Sequence, residues 1–228
     1  MRLRNIKGAT EAIESSPYCI QAPAEMKNHW REFFGNDNPI HIEVGMGKGR
    51  FLMNLAALHP DINYIGIERY TSVLFRAIQK MEEAPLPNVH FICMDADELP
   101  EVFDEKSIDK IYLNFSDPWP KERHAKRRLT HGNFLRLYRQ VLKMGGQIHF
   151  KTDNAALFEW SLGEFEACGL EIRNLTRNLH ENGPVGIMTG YEEKFYALGT
   201  PINRCELINH GVLPDPEPAE KDEQTGIL

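Results

Sequence analysis

Cysteine is scarce in this chain, and the few residues that occur are scattered. Four are present, with no Cys-x-x-Cys pair among them: Cys19, Cys93, Cys168 and Cys205. Paired spacing is typical of zinc sites and of small disulfide-rich domains, so we expect neither a metal site nor a disulfide framework. Isolated thiols of this kind suit a protein of the reducing cytoplasm.

Long apolar runs are lacking too. The first residues, Met1-Arg2-Leu3-Arg4, are basic, but no apolar stretch long enough for a signal peptide or a membrane span follows them. We therefore expect a cytoplasmic protein with no membrane partner. The 228 residues are 42% apolar and 26% charged, which is typical of a soluble chain with one α/β domain.

The chain also lacks an overall basic charge, since its formal net charge is -7. Part of this acidity is local, because residues 214–228 carry five acidic side chains against Lys221 alone. The body of the chain is therefore only mildly acidic. A local basic patch on such a protein would bind an anion in a site-directed and salt-sensitive way.

Short apolar strands alternate with amphipathic helices from Pro39 onwards. The predicted strands are 40–44, 63–68, 89–94, 110–115 and 147–151, and the predicted helices are 50–59, 73–81, 130–143 and 154–168. This alternation predicts a mostly parallel sheet with helices on both faces. Two more strands are predicted at 170–175 and 194–198, joined by a long loop that we interpret as a flexible lid.

These patterns divide the chain into three parts. Residues 1–38 carry scattered charge and two prolines, and we expect a partly mobile arm there. Residues 39–206 form the folded domain. Residues 207–228 are rich in proline and acids, which predicts a disordered tail.

A glycine-rich turn, Gly45-Met46-Gly47-Lys48-Gly49, separates the first predicted strand from the first predicted helix. Its Gly-x-Gly-x-Gly spacing differs from the Gly-x-Gly-x-x-Gly of dinucleotide-binding folds, which disfavours an NAD-dependent oxidoreductase. Glu43 stands at the entrance of the turn and favours a cationic ligand over a pyrophosphate. S-adenosylmethionine, which carries a sulfonium and an ammonium group, fits this charge.

Two further acids follow predicted strands. Glu68 lies about twenty residues beyond the glycines, where an acid can accept hydrogen bonds from ribose hydroxyls. Asp95 follows the third strand and can accept from an adenine amino group. Because parallel strands end at one edge of a sheet, Glu43, Glu68 and Asp95 together predict an adenosine-type cofactor. Solvated acids at strand ends are the alternative.

The most distinctive stretch is Asn114-Phe115-Ser116-Asp117-Pro118-Trp119-Pro120. Its two prolines stiffen the backbone around a carboxylate and an aromatic ring. Five lysine and arginine side chains follow within the eight residues from Lys121 to Arg128. An aromatic surface beside cations is typical of a site for a nucleobase on a phosphate chain, and a solvated basic loop is the alternative.

The sequence resembles the bacterial tRNA (guanine-N7-)-methyltransferases from about Pro39 to about Pro201. The most specific stretches are 114–121, Arg123-His124, 126–128, Lys151-Thr152-Asp153 and Thr189-Gly190-Tyr191-Glu192-Glu193-Lys194. The resemblance implies a Rossmann-like, doubly wound α/β fold with a seven-stranded sheet and an antiparallel C-terminal strand. It implies methyl transfer from S-adenosylmethionine to N7 of a guanine in the tRNA variable loop, at position 46, by a monomer or a homodimer.

The resemblance also implies roles for individual residues. Cofactor contacts fall on the glycines of the turn and on acids, namely Gly45, Gly47, Gly49, Glu43, Glu68, Asp95 and Asp117. Asp117 is also the expected catalytic residue. Substrate contacts fall on Lys121, Asp153, Thr189, Gly190, Tyr191 and Glu192. RNA contacts fall on Arg123, His124, Lys126, Arg127 and Arg128.

Guanine N7 bears a lone pair and no proton, so we expect Asp117 to stabilise charge instead of acting as a base. Asp153 or Glu192 would accept from the opposite edge of guanine. Two other readings stay open. A small-molecule methyltransferase would methylate free guanosine as well as tRNA. A non-catalytic RNA-binding protein would tolerate a change at Glu68.

Overall fold

A seven-stranded sheet forms the centre of the protein in the computed structural model, which describes residues 6–211. The strands are β1 (Ile40–Val44), β2 (Asn63–Ile67), β3 (Val89–Ile92), β4 (Ile108–Asn114), β5 (Leu142–Thr152), β6 (Glu171–Thr176) and β7 (Asn203–Ile208). Their order is β3-β2-β1-β4-β5-β7-β6. Strands β1 to β5 pair in parallel, and β7 lies antiparallel between β5 and β6. The predicted Rossmann-like fold is confirmed.

Helices connect the strands and cover the sheet. In the described part of the chain they are α1 (Ala9–Ser15), α2 (Trp30–Phe34), α3 (Arg50–Leu58), α4 (Thr71–Glu83), α5 (Leu99–Val102), α6 (Gly132–Val141), α7 (Ala155–Ala167) and α8 (Gly190–Ala197). The apolar spacing in α4 buries Leu74, Ala77, Ile78 and Met81 on one side. Within residues 6–211, no helix has the length and apolarity that crossing a membrane requires.

The apolar core has two parts, one on each face of the sheet. Along β4, Ile111 and Leu113 belong to one buried cluster, whereas Tyr112 between them belongs to the other. Side chains alternate between faces along a strand, so this division follows directly from the sequence of β4. All five residues of β1 and of β2 are buried, as expected for central parallel strands.

The direction of winding reverses between β1 and β4, which neighbour each other at the centre of the sheet. In open parallel sheets, the crevice beyond the carboxyl ends of two such strands is where ligands bind. The residues that follow β1 and β4 are the glycine-rich turn and the Asp117 loop, here defined as residues 115–120. The topology therefore places both distinctive motifs at one crevice.

The described part of the predicted N-terminal arm packs onto the domain. Ile20 N donates to Phe91 O at 2.9 Å, and Phe91 N donates to Tyr18 O at 2.8 Å, which extends the sheet beside β3. Trp30 is 4% exposed and its Nε1 donates to Val102 O at 3.0 Å. Residues 1–5 lie outside the described residues, and the mobility of the arm stays a prediction.

The predicted strand at 194–198 is wrong, because this segment belongs to α8. Thr189 Oγ1 accepts from Glu192 N at 3.0 Å, and a Glu192 carboxylate oxygen accepts from Thr189 N at 3.1 Å. This reciprocal capping box starts a helix. The strand is instead β7, which runs to Ile208 and so enters the predicted tail. The rest of that tail, residues 212–228, lies outside the described residues.

Candidate active site

The glycine-rich turn depends on backbone conformations that favour glycine. Gly45, Gly47 and Gly49 have φ angles of 73°, 61° and 70°, in the left-handed region. Gly45 N and Met46 N both donate to Ile67 O, at 2.9 and 3.1 Å, so the turn folds against the end of β2. The turn thus leaves backbone at the crevice, where a ligand can approach it closely.

Glu43 is the buried acid behind this turn. It is 2% exposed, and its Oε1 accepts from Asn114 Nδ2 at 2.8 Å. Its Oε2 is buried and has no hydrogen-bond partner among residues 6–211. Burial raises the pKa of this carboxyl to about 8, and the hydrogen bond from Asn114 and the charge of Lys151 offset only part of the shift. A buried carboxyl with an unpaired oxygen fits a ligand that brings a positive charge.

Glu68 ties the end of β2 to the glycine-rich turn. Its Oε2 accepts from Gly47 N and its Oε1 from Tyr70 N, both at 3.0 Å. The side chain is buried, and burial raises its pKa, while these backbone donors oppose the shift. A carboxylate oxygen accepts more than one hydrogen bond, so Glu68 keeps capacity for a ligand hydroxyl.

Asp95 lies at the next strand end but differs from the other two acids. It is more exposed, and its Oδ1 accepts from Ala96 N at 2.8 Å as the cap of a short 3-10 turn. Its Oδ2 pairs with Arg69 Nη1 at 2.8 Å. The three acids therefore line the edge of adjacent strands, with burial falling from β1 towards β3.

The Asp117 loop holds an exposed carboxylate between two strained residues. Phe115 and Trp119 have positive φ angles of 52° and 41°, which are uncommon for aromatic residues. Such outliers persist only where the surrounding structure holds them, and they cluster at functional sites. Phe115 N donates to Lys151 O at 2.9 Å, and the Phe115 ring stacks on Phe195 of α8 at 6.2 Å.

Two contacts join the Asp117 loop to the glycine-rich turn. Asn114, the last residue of β4, holds Glu43 through the 2.8 Å hydrogen bond. Leu129, just beyond the basic segment (residues 121–128), lies so close to Gly45 that a Cβ there would meet Leu129 Cδ1 at 3.4 Å. The residue before the Asp117 loop and the residue after the basic segment therefore both lie beside β1 and its glycine-rich turn.

A buried ion network fixes the C-terminal side of the crevice. Glu192 is 0% exposed and accepts from Lys151 Nζ at 2.6 Å and from His180 Nε2 at 3.0 Å. Val185 N donates to His180 Nδ1 at 3.1 Å, so the imidazole proton resides on Nε2 and points at Glu192. With Thr189 N, this carboxylate has three donors, so the network anchors α8 and the loop before it onto β5.

A second ion pair links the same helix to the first half of the domain. Arg50, at the start of α3, donates to both carboxylate oxygens of Glu193 at 2.6 and 2.7 Å. Bidentate geometry of this kind is the strongest form of a partly exposed ion pair. Helix α8 is therefore attached to the start of α3 on one side and to β5 on the other.

Sequence comparisons show the family of this chain. A family model described as a putative methyltransferase matches residues 37–205. A tRNA (guanine-N(7)-)-methyltransferase of Lachnoclostridium phytofermentans is 51% identical over 206 residues, covering 90% of this chain and 96% of that protein. The Bacillus subtilis protein of the same name is 50% identical over 209 residues, covering 91% and 98%. The chain belongs to the bacterial tRNA (guanine-N7-)-methyltransferase family.

Solved structures of other methyltransferases share the fold at low identity. An antibiotic-related methyltransferase superposes with a TM-score of 0.59 at 22% identity, covering 80% of this chain and 93% of that one. The 16S rRNA methyltransferase KamB gives a TM-score of 0.62 at 13% identity, covering 82% and 94%. These likenesses concern the fold alone, and they agree with the sheet described above.

The residues that the family resemblance selects differ in exposure. Glu43, Glu68, Gly49, Thr189 and Glu192 are buried. Gly47, Asp95, Asp153, His124 and Arg128 are of intermediate exposure, and Gly45, Asp117, Lys121, Arg123, Lys126, Arg127, Gly190 and Tyr191 are exposed. Their roles as contacts stay predictions. Glu192 faces the interior network, and Arg128 faces the Asp117 loop instead of solvent.

Sequence reasoning missed the partners of the buried acids. Asn114 was noted only as part of a motif, and nothing in the sequence marked it as the residue that holds Glu43. His180 lies in a loop without a recognisable motif, yet it contacts Glu192. A signal did exist for the start of α8, since Thr189 and Glu192 have capping-box spacing.

Proposed function

We propose that this protein transfers a methyl group from S-adenosylmethionine to N7 of a guanine in tRNA, in the variable loop at position 46. The observation that carries the proposal is the hydrogen bond between Asn114 and Glu43, which joins the cofactor acid to the Asp117 loop. The names of relatives at about half identity support the choice of tRNA. This is the function that the crevice supports best.

The cofactor half would be held by the turn and the strand-end acids. Glu43, with its unpaired Oε2, would face positive charge, and Glu68 would accept from the ribose hydroxyls. Asp95 would accept from the adenine amino group, while Gly45 and Gly47 allow close approach of the backbone. When bound, S-adenosylmethionine supplies a methyl group activated by a sulfonium.

Asp117 would act on the purine. Guanine N7 presents a lone pair without a proton, so this chain needs no general base to expose the nucleophile. The purine gains positive charge as N7 is alkylated, and a carboxylate fixed nearby favours that gain. The strained and anchored backbone of the Asp117 loop supports such a fixed position, because preorganised charge is more effective than mobile charge.

The RNA half would be formed by the exposed cations of the basic segment, namely Lys121, Arg123, Lys126 and Arg127, together with His124. Asp153 follows β5 beside the Asp117 loop and would accept from the donors on the opposite edge of guanine. Tyr191, 58% exposed at the start of α8, is available for stacking. Thr189, Gly190 and Glu192 would shape this side of the crevice.

The test is methyl transfer from labelled S-adenosylmethionine to unmodified tRNA, followed by mapping of the methylated nucleotide. We expect one 7-methylguanosine in the variable loop and far slower transfer to free guanosine. Equal rates with guanosine would favour a small-molecule methyltransferase. Binding of tRNA without turnover would favour the non-catalytic reading.

A further inference from the structure

The last residue of the basic segment behaves differently from its neighbours. We infer that Arg128 is a positioning residue, which holds the Asp117 loop in its active shape through two carbonyl groups, and that it is not an RNA contact. The inference rests on the proposed function, since it assigns Arg128 to the turnover step of that reaction. It departs from the expectation that Arg128 contacts RNA together with Arg123, His124, Lys126 and Arg127.

Two hydrogen bonds carry the inference. Arg128 Nε donates to Pro118 O at 3.0 Å, and Arg128 Nη2 donates to Trp119 O at 3.0 Å. Both acceptors lie immediately after Asp117. The planar guanidinium presents its donors in a fixed fork, so it holds two adjacent carbonyls at once, which a lysine ammonium cannot reproduce.

One face of the planar guanidinium is occupied as well. Its Cζ lies 4.2 Å from the ring centroid of Trp160 in α7, in a cation–π arrangement. Trp160 packs against the apolar core and stacks on His131 at 6.1 Å. Arg128 therefore connects the Asp117 loop to a rigid helix, with its charge directed inward.

The composition of the loop explains why it needs such a connection. Pro118 and Pro120 have no N–H group, so two of the six backbone donors of the loop are missing and the carbonyl groups serve as attachment points. Trp119 adopts a φ of 41°, a conformation that an unsupported tryptophan rarely keeps. Releasing the two carbonyls would let Trp119 relax and would displace Asp117.

Arg127 provides the natural contrast. It has the same charge and is one residue away, but its side chain is exposed and its guanidinium lies over the Trp119 ring at 5.0 Å. Nothing in the sequence separates the two arginines. Both arginines contact the Asp117 loop, but Arg127 lies over the face of the Trp119 ring and stays exposed, where it is available to a phosphate, whereas Arg128 donates to two carbonyl groups of the loop.

The experiment compares Arg128→Lys, Arg127→Glu and a control, Arg136→Lys on the outer surface of α6. In R128K we expect kcat to fall roughly 10- to 100-fold, as for a small misplacement of a catalytic group, with KM for tRNA and its salt dependence unchanged. In R127E we expect the loss of activity to appear in KM for tRNA. R136K should match the wild type in both constants. S-adenosylmethionine binding stoichiometry reports the folded fraction of each variant.

Amide hydrogen exchange of the peptide 114–121 gives a readout independent of activity. We expect faster exchange in R128K than in R136K or the wild type, with unchanged exchange in β1. A wild-type kcat in R128K, or a loss on KM alone, would overturn the inference. If the wild-type protein itself shows no methyl transfer, the proposed function is wrong. If amide exchange of the peptide 114–121 is unchanged in R128K, the positioning role is wrong.

Discussion

Two regions of the crevice use acids in opposite ways. The floor consists of the buried carboxyl groups Glu43, Glu68 and Glu192, and the rim consists of the exposed Asp117 with the basic segment. Floor acids are held by backbone and buried side-chain donors, so their positions are set before any ligand arrives. At the rim, the Asp117 carboxylate and every lysine and arginine except Arg128 face solvent, where the cations are available to an anion. The difference shows two ways to position an acid: burial and buried donors fix the floor acids, whereas the backbone of the loop fixes the exposed Asp117.

The largest effect on stability should come from the floor. Glu192→Ala would leave the Lys151 ammonium buried without its 2.6 Å partner, and breaking a buried pair in this way costs about 3–5 kcal/mol. Glu193→Ala, which breaks the more exposed pair with Arg50, should cost about 1 kcal/mol or less. Chemical denaturation of both variants measures the difference. Equal losses would show that burial does not separate the two pairs.

The largest effect on turnover should come from the rim. Asp117→Ala removes the exposed carboxylate, and loss of one preorganised group typically lowers kcat by about 100- to 1000-fold. We expect little change in tRNA affinity or in the free energy of unfolding, because the side chain is exposed. Steady-state kinetics and equilibrium tRNA binding measure both quantities. A similar loss in kcat and in affinity would mean that Asp117 only binds.

The pH dependence of cofactor binding should reveal Glu43. Its pKa is raised to about 8 by burial, with smaller opposing contributions from Asn114 and Lys151 and a raising contribution from Glu68. A cationic ligand requires the deprotonated form, so affinity should rise about tenfold per pH unit up to about pH 8 and then level off. Calorimetry on the wild type and Glu43→Gln between pH 6 and 9 tests this. A parallel rise in E43Q would exclude Glu43 as the cause.

The same carboxyl group affects the stability of the unliganded protein with the opposite slope. Its folded pKa exceeds the ordinary value of 4.5, so the folded state binds the proton more tightly than the unfolded state. The stabilisation that Glu43 contributes is fully present below its unfolded pKa and is lost as pH rises through its folded pKa of about 8. Denaturation of E43Q should therefore show a flatter pH profile than the wild type in this range.

A smaller effect concerns the affinity of the rim for tRNA. Arg127→Glu should weaken binding by about tenfold at moderate salt and should reduce the slope of log affinity against log salt by about one. Affinity for S-adenosylmethionine should not change, because the floor is untouched. Filter binding across a salt series measures the slope. An unchanged slope would remove Arg127 from the RNA contacts.

Much of the floor could be predicted from the sequence. Parallel strands end at one edge, so the sequence predicts that the floor acids Glu43 and Glu68 lie near Asp95, and the structure places the three acids at the ends of adjacent strands. The raised pKa of Glu43 is beyond prediction, because it depends on burial in the folded protein, which the donor from Asn114, distant in the chain, offsets only in part. Local composition predicts a strand at 194–198, whereas the capping box of Thr189 and Glu192 starts a helix that includes most of this segment.

The sequence predicts the cluster of charges at the rim but not the direction of each side chain. The run from Lys121 to Arg128 indicated an anion site, yet Arg127 and Arg128 are equivalent in sequence and differ in direction. That direction depends on Trp160 and on the carbonyl groups of the Asp117 loop, which only the folded chain brings together. The role of His180 could not be predicted for the same reason, since only the packing of the folded chain brings it to Glu192.

The central claim is that floor and rim together deliver a methyl group to N7 of one guanine in tRNA. The most direct measurement compares methyl incorporation into a tRNA transcript with incorporation into the same transcript carrying 7-deazaguanine at position 46, where a C–H group replaces N7. We predict stoichiometric labelling of the first and no labelling of the second. Equal labelling of both transcripts would contradict the account, because the methyl group would then have reached another atom.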